Sequence, residues 1–241
     1  MSLMDQEPYF SASSQERVSV VLSMKEKNVL VVGGGSVALR KVRKLLGAGA
    51  NVTVVSPQVV SGIERMVQEA RLLLCRRPYE RVDLKGADLV ISATDNREVN
   101  RQILQDASEE RVWSSTVDDG DEGDFQFAAE ATSGGVRLAV SSGGKCPGFA
   151  QYVRDSLLDR LGPEVGVALE VVSELRARFL SQGTQVGLKE RYMSVVTPEF
   201  LDAIRRGKQG EVERLLVEAF GVDYTLGELG VQLPDGGENT S

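Results

Sequence analysis

A run of small residues, Gly33-Gly34-Gly35-Ser36-Val37-Ala38, has the spacing G-x-G-x-x-A of a dinucleotide-binding loop. Gly33 permits a tight turn, Gly35 lacks the Cβ that would block a pyrophosphate, and Ala38 allows a helix to pack closely on a strand. The phosphates would lie against the unpaired N–H groups at the positive end of the following helix. The pattern predicts a dinucleotide site, and a glycine-rich turn that binds no ligand is the alternative.

Carboxylates follow a predicted strand in the acidic run Asp118-Asp119-Gly120-Asp121-Glu122-Gly123-Asp124. Asp118 stands where the strand ends, and ligands of doubly wound sheets bind outside the carboxyl ends of the strands. A carboxylate in that place can act as a general base. A solvated acidic turn is the alternative, and the sequence leaves both interpretations open.

A second loop of small residues, Ser141-Ser142-Gly143-Gly144-Lys145-Cys146-Pro147, precedes a predicted helix. Its backbone N–H groups, together with Lys145, have the chemistry to hold an anionic ligand. The alternative is a linker between domains that caps the helix. Cys146 has no imidazole partner and is interpreted as a small packed thiol.

The composition narrows the chemistry further. The 241 residues include no histidine, which excludes Ser-His-Asp and Cys-His catalysis and any His-containing metal site. We predict no resident metal site. The net charge of −7 argues against a nucleic-acid binder, and two well-separated cysteines fit a reduced, cytoplasmic protein. No apolar run reaches the roughly 20 residues that span a bilayer. Proton transfer therefore falls to a carboxylate, a lysine, a tyrosine or a cofactor.

Strands and helices alternate around these residues, which predicts an α/β fold with a Rossmann-like, doubly wound parallel sheet. A small strand-rich segment and a C-terminal helical domain follow. The predicted parts are a dinucleotide-binding domain (1–112), the strand-rich segment (113–147), the helical domain (148–222) and a disordered tail (223–241). The predicted strands are 28–32, 51–55, 72–75, 88–93, 111–117, 125–129 and 136–141, and the first helices are 37–46, 63–70 and 98–109. The basic residues of the first helix, Arg40, Lys41, Arg43 and Lys44, are interpreted as its solvated face.

The second strand ends at Val55-Ser56-Pro57-Gln58, without the acidic residue that usually binds the ribose hydroxyls of NAD. Ser56 and Gln58 have side chains that can hydrogen-bond a ribose. No arginine stands there to bind the 2′-phosphate of NADP, so NAD is favoured. Thr94-Asp95-Asn96, after the fourth strand, is predicted to border the cofactor.

In this order, the motifs resemble those of the precorrin-2 dehydrogenase/sirohydrochlorin ferrochelatase family, the N-terminal module of siroheme synthases. The resemblance covers roughly residues 27–220 of the chain. The matching segments are VLVVGGGSVALRKVRKLL (29–46), VTVVSP (52–57), LVISATDNREVN (89–100), STVDD (115–119), DFQF (124–127) and AVSSGGKCPGFA (139–150).

The resemblance implies an enzyme that oxidises precorrin-2 to sirohydrochlorin with NAD in siroheme biosynthesis, and in some members also inserts Fe2+. It implies a homodimer whose central segment, 113–147, exchanges contacts between subunits. Asp118 would be the shared base, and Ser142, with Gly143 and Lys145, would bind the tetrapyrrole. The residues that would contact NAD are Gly33, Gly34, Gly35, Ser36, Val37, Pro57 and Gln58.

Three other classes stay open. A non-catalytic NAD-sensing Rossmann regulator would bind NAD without turnover. A dehydrogenase of small hydroxy acids would typically use a His or Lys base. An AdoMet methyltransferase would carry an acidic residue after the second strand. None of the three explains VDD and SSGGK together.

Overall fold

The computed structural model describes residues 17–118, 122–183 and 187–233. In the first part of the chain, the strands are β1 (Asn28–Val32), β2 (Asn51–Val55), β3 (Leu73–Cys75), β4 (Leu89–Ser92) and β5 (Trp113–Thr116). The helices are α1 (Ser36–Gly47), α2 (Ser61–Gln68) and α3 (Arg97–Glu110), and a 3-10 turn spans Arg81–Leu84. The strands form one parallel sheet in the order β3-β2-β1-β4-β5. The predicted doubly wound parallel sheet is confirmed.

The central strand β1 is apolar throughout its last four residues because both of its faces are covered. Val29 and Val31 belong to the core that also holds the apolar sides of α1 and α2, whereas Leu30 and Val32 belong to the core that holds α3. Side chains of a strand alternate between the faces, so a run without polar residues is what a strand between two helical layers requires.

The strand order places the carboxyl ends of β1 and β4 side by side at the middle of the sheet. After β1 the chain builds β2 and β3 on one side, and it then crosses over to build β4 and β5 on the other. Val32 of β1 pairs with Val55 of β2 and with Ser92 of β4, so the three strands end at one level. This crossover is the topological switch point, where doubly wound sheets bind their ligands.

The second part of the chain begins with an antiparallel hairpin and continues as helices. The strands are β6 (Ala129–Ser133) and β7 (Val136–Val140), and the helices are α4 (Pro147–Leu158), α5 (Glu164–Ser181), α6 (Leu188–Met193), α7 (Pro198–Arg205), α8 (Gln209–Phe220) and α9 (Leu226–Leu229). Gly134 turns the hairpin with a φ of +52°, and a Cβ there would lie 2.3 Å from the Cα of Gly166 in α5. Only glycine permits that contact between hairpin and helix.

The chain divides into two compact units, and the division crosses the predicted strand-rich segment 113–147. The first unit ends at Phe127 and also holds Gly143–Lys145, whereas the second holds Ala128–Ser142 and resumes at Cys146. β5 therefore belongs to the first unit and the hairpin to the second. A role of this segment in pairing subunits stays a prediction.

Two predictions about local structure were wrong in part. The strand predicted at 125–129 forms only from Ala129, because Phe125 and Phe127 pack against the core of the first unit. The i, i+2 spacing of the two phenylalanines is also typical of a strand, which is why a strand was predicted there. In the predicted disordered tail, α9 forms and buries Leu226 and Leu229 in the helical core. Residues 234–241 of that tail lie outside the described residues.

The basic side of α1 is not wholly solvated, contrary to the interpretation from sequence. Nζ of Lys41 lies 3.7 Å from the ring centroid of Phe127, and that of Lys44 lies 5.1 Å from it. Burial, with a smaller contribution from the neighbouring charges of Arg40 and Lys44, lowers the pKa of Lys41 to about 8. The aromatic face attracts the ammonium group and covers its aliphatic stem.

An ion pair between a buried carboxylate and a half-exposed arginine joins α5 to α7 in the second unit. Glu164 is 1% exposed, and its Oε1 accepts a hydrogen bond of 2.6 Å from Nη2 of Arg205. Burial acts to raise the pKa of Glu164, but the bond from Arg205 and backbone N–H groups outweigh it, and the pKa lies below the ordinary 4.5.

We therefore expect the stability of the second unit to fall in acid. Because the pKa of Glu164 is lower in the folded state, its contribution is present above the unfolded pKa and is lost as the pH falls through the folded one. Urea unfolding followed by far-UV circular dichroism at pH 7 and pH 3 measures the change. Glu164→Gln should reduce the dependence of the midpoint on pH, and an unchanged dependence would contradict the assignment.

No helix among the described residues is long and apolar enough to cross a lipid bilayer.

Candidate functional site

One cavity of about 780 Å³ opens at the switch point of the parallel sheet. The loops that follow β1, β2 and β4 contribute the polar part of its lining, and the ends of the strands contribute apolar side chains. Its lining residues are Val32–Val37, Val55–Val60, Pro78, Tyr79, Ala93–Asn96, Val99 and Val117. The cavity therefore contains every residue predicted from the sequence to contact a dinucleotide: Gly33, Gly34, Gly35, Ser36, Val37, Ser56, Pro57, Gln58, Thr94 and Asp95.

The first two glycines of the loop allow it to lie in close contact with the segments that follow β4 and β2. Gly33 has a φ of +122°, and a Cβ on it would lie 2.2 Å from the carbonyl oxygen of Ala93. A Cβ on Gly34 would lie 1.9 Å from the carbonyl oxygen of Gln58. Both approaches are closer than any Cβ contact allows, so these positions need glycine for the fold.

Gly35 differs from its two neighbours, because a Cβ on it would meet no protein atom within 4 Å. It is the N-cap residue of α1, whose first turn has no side-chain cap and no acidic residue. Gly35, Ser36 and Val37 at this helix end line the cavity, and the first N–H groups of a helix have no partner within the helix. The space over Gly35 and the positive helix end fit a pyrophosphate, which makes the loop a suitable dinucleotide site.

At the end of β2, the hydroxyl group of Ser56 is bonded within the loop itself. It is buried, and its Oγ donates a hydrogen bond of 2.7 Å to the carbonyl oxygen of Gln58. The two arginines that follow β3 are already paired. Arg76 contacts the carboxylate of Glu64, and Arg77 donates two hydrogen bonds to Asp83, of 2.8 and 2.5 Å.

Asp118 joins the site through a buried amide that the sequence analysis missed. Nδ2 of Asn100 donates one hydrogen bond to Oδ2 of Asp118 and another, of 3.0 Å, to the carbonyl oxygen of Thr94. Asp118 is exposed and follows Val117, which lines the cavity. Asn100 lies on α3 at helical spacing from the buried Ile103, so a polar residue on an apolar face is the signal that could have identified it.

Tyr79 and Pro78 are a second part of the lining that sequence analysis missed. They follow β3, so the rule about carboxyl ends that selected the other loops applies to them as well. The hydroxyl of Tyr79 donates a hydrogen bond of 3.0 Å to Asp106. Burial, and then this bond to Asp106, raises the pKa of Tyr79 above its ordinary range. Tyr79 therefore stays protonated and serves as a wall of the cavity.

Part of the acidic run has a structural role. Oδ2 of Asp124 accepts hydrogen bonds from the backbone N–H and from Oγ of Ser114, of 2.8 and 2.9 Å, and its own N–H donates to the carbonyl oxygen of Ser114. These bonds fasten the returning loop to β5 at the edge of the sheet. Residues 119–121 of the run lie outside the described residues.

Replacing Asp124 with alanine is therefore expected to destabilise the first unit by about 1–3 kcal/mol, because two hydrogen bonds to a carboxylate are lost. Urea unfolding followed by the fluorescence of Trp113, the single tryptophan, measures the change. Replacing the exposed Glu122 with alanine is the matched control. Equal stabilities of the two variants would contradict the structural role of Asp124.

The loop predicted to bind the tetrapyrrole is not part of the cavity lining. Oγ of Ser142 accepts a hydrogen bond of 3.1 Å from the N–H of Cys146, at the start of α4. This bond joins the loop to Cys146, the N-cap residue of α4, and no side chain among the described residues caps the first turn of that helix. Lys145 is exposed. Cys146 is an exposed free thiol, so the interpretation of Cys146 as a packed thiol was wrong. Ligand binding by Ser142, Gly143 and Lys145 stays a prediction.

Within residues 17–118, 122–183 and 187–233, no group of three or more Cys, Asp or Glu side chains is arranged to hold a metal ion.

The parallel sheet, the glycine loop and the cavity at the switch point define a dinucleotide-binding protein of the Rossmann class. Residues 20–129 match the family model described as "Putative NAD(P)-binding". The sequence is 34% identical over 196 residues to Siroheme synthase 1 of Aeromonas salmonicida (strain A449), which is 80% of this chain and 42% of that protein. It is 33% identical over 199 residues to the siroheme synthase of Pseudomonas fluorescens (strain SBW25), with 81% and 42% covered.

A solved structure titled "SirC, precorrin-2 dehydrogenase" has the same fold, with a TM-score of 0.69 and 21% sequence identity over 84% of this chain and 98% of that one. These matches support the family that the sequence motifs resemble, the precorrin-2 dehydrogenase/sirohydrochlorin ferrochelatase module of siroheme synthases. The chain spans about two fifths of the length of the curated siroheme synthases that it matches.

Proposed function

We propose that this protein oxidises precorrin-2 to sirohydrochlorin with NAD+ in siroheme biosynthesis. The observation that carries the proposal is the cavity at the switch point, where the glycine loop meets the ends of β2 and β4 and where Asp118 follows the lining residue Val117. The names of the curated relatives support siroheme biosynthesis as the pathway.

Different residues of the chain bind the dinucleotide and accept the proton. Gly35 and the start of α1 bind the phosphates of the dinucleotide, and the valines of the lining, with Tyr79, exclude water from the cavity. The oxidation removes one hydride and one proton from the macrocycle. NAD+, when bound, supplies the acceptor for the hydride. Asp118 takes the proton as general base.

NAD is the cofactor that the β2 end favours over NADP. The hydroxyl of Ser56 is directed to the carbonyl oxygen of Gln58, and Arg76 and Arg77 are engaged by Glu64 and Asp83. A 2′-phosphate would have to break one of these ion pairs to gain a cationic partner. We expect NAD+ to bind more tightly than NADP+ in equilibrium dialysis.

Anaerobic incubation with precorrin-2 and NAD+ tests the proposal. Formation of NADH together with the sirohydrochlorin spectrum is the expected result, and a reaction without protein gives the background. Binding of NAD+ without formation of NADH would instead support the non-catalytic NAD-sensing regulator.

Insertion of Fe2+ into sirohydrochlorin is a further part of the proposal. Asp118 is an exposed carboxylate next to the cavity, and it can accept the two pyrrole protons that the metal displaces one after the other, releasing the first to solvent before it takes the second. The rate of Fe2+ or Co2+ insertion into sirohydrochlorin, compared with the spontaneous rate, decides whether the chain has this second activity.

The homodimer is also proposed, with the hairpin and α4 as its contact region. Phe149 and Tyr152 of α4 stack with ring centroids 6.3 Å apart and are 60% and 67% exposed in the single chain. Exposed aromatic side chains are typical of the centre of an interface. Size-exclusion chromatography with light scattering measures whether the mass is one or two times 26.1 kDa.

A further inference from the structure

The buried amide of Asn100 has its orientation fixed by a single residue of the loop after β4. Oδ1 of Asn100 accepts hydrogen bonds from the backbone N–H of Thr94 (3.3 Å) and from its hydroxyl (2.7 Å), and Nδ2 donates to the carbonyl oxygen of Thr94 (3.0 Å). The N–H of Thr94 can only donate and its carbonyl oxygen can only accept, so the amide cannot be reversed.

The fixed amide has one N–H left, and that group is directed at Asp118. The amide nitrogen has two hydrogens; one goes to Thr94, and the other goes to Oδ2 of Asp118. Asn100 is 2% exposed, whereas Asp118 is exposed at the end of β5. A rigid, buried donor therefore holds one oxygen of a carboxylate that would otherwise rotate freely in solvent.

The same contact joins the proton acceptor to the cofactor loop. Thr94 lines the cavity, and Asn100 connects it with Asp118 through hydrogen bonds of one amide. A displacement of the loop would be passed to the carboxylate, because the amide is bonded to both. Oδ1 of Asp118 accepts no side-chain hydrogen bond from the described residues, and it is the oxygen left to take a proton.

We propose that Asn100 is a positioning residue that orients Asp118 for proton abstraction. This role rests on the proposed function, since it needs Asp118 as the base. Asn100 does not touch the reacting atoms, so the proposal requires that its effect on the chemical step pass through Asp118, while its bonds to Thr94 support the cofactor loop. A misplaced catalytic group typically costs about 10²-fold in rate.

A double-mutant cycle in turnover tests this role. We expect Asn100→Ala to lower kcat for NADH formation by about 10- to 100-fold, with the KM for precorrin-2 and the dissociation constant for NAD+ changed less than about 2-fold. In the Asp118→Ala background, the same substitution should lower kcat no further, because the group that it positions is absent. Gln105→Ala, an exposed amide on the same helix that contacts Glu109, is the matched control and should turn over like the wild type.

Asn100→Asp serves if the alanine variant does not fold. It keeps an acceptor for the N–H and hydroxyl of Thr94 but places a carboxylate against Asp118, and its effect on kcat should likewise vanish in the Asp118→Ala background. Effects that add in both backgrounds, or a loss confined to NAD+ binding, would overturn the proposal while leaving the function intact. A wild-type protein that forms no NADH fails the proposed function itself, and the role of Asn100 falls with it.

Discussion

Replacing Asp118 with alanine is expected to lower the rate of NADH formation by about 10²–10⁴-fold, the usual contribution of a positioned general base. The dissociation constant for NAD+ should change little, because Asp118 follows the cavity lining and is not part of it. Asp118→Asn should be nearly as slow, since it keeps the shape of the side chain and removes its capacity to take a proton. Steady-state kinetics under anaerobic conditions and equilibrium dialysis measure the two quantities.

Two other carboxylates serve as comparisons. Glu122 lies in the same acidic run and is exposed, and Glu122→Gln should turn over like the wild type. Asp95 lines the cavity and is the rival base. If Asp118→Asn retained turnover whereas Asp95→Asn lost it, the proton acceptor would be Asp95, and the role of Asp118 would have to be abandoned.

The largest effect on cofactor binding is expected from Gly35→Ala, whereas Gly33→Ala should act on the fold. At Gly35 a methyl group meets no protein atom within 4 Å but occupies the space over the start of α1. We expect the Kd for NAD+ to rise by about tenfold or more, which corresponds to about 1.4 kcal/mol. The stability should fall by at most about 1 kcal/mol, because alanine is a poorer N-cap than glycine.

At Gly33 the same substitution should act on the fold. Its Cβ would lie 2.2 Å from the carbonyl oxygen of Ala93, and its φ of +122° is strained for alanine. A loss of about 1–3 kcal/mol or more in the free energy of unfolding is expected. Gly47→Ala is the control, since a Cβ there meets nothing and the residue lies in the last turn of α1. The interpretation of the loop fails if Gly35→Ala binds NAD+ as tightly as the wild type does.

Much of the first unit could be predicted because its signals are local. The strands at 28–32 and 51–55 are confirmed to the residue, since a short apolar run must be covered on both faces in a parallel sheet. The glycine loop could also be read directly, because tight turns and close backbone approaches depend on residues next to each other in the chain. These features determined the fold class and the cofactor class.

Other features depend on contacts between distant residues, and only the tertiary structure decided them. Asn100 and Asp118 are 18 residues apart, and their hydrogen bond exists because α3 and β5 are adjacent at the same end of the sheet. The ring of Phe127 covers Lys41 of α1, so a residue with the composition of a solvated face lies partly buried.

The sequence by itself determined the sheet, its glycine loop and a carboxylate at the end of β5. The tertiary structure decided which groups surround that carboxylate, because a pattern along the chain fixes the face on which a side chain lies but not its partner across the fold. The amide of Asn100 looked like one polar residue of a helix, and packing made it the link between Thr94 and Asp118.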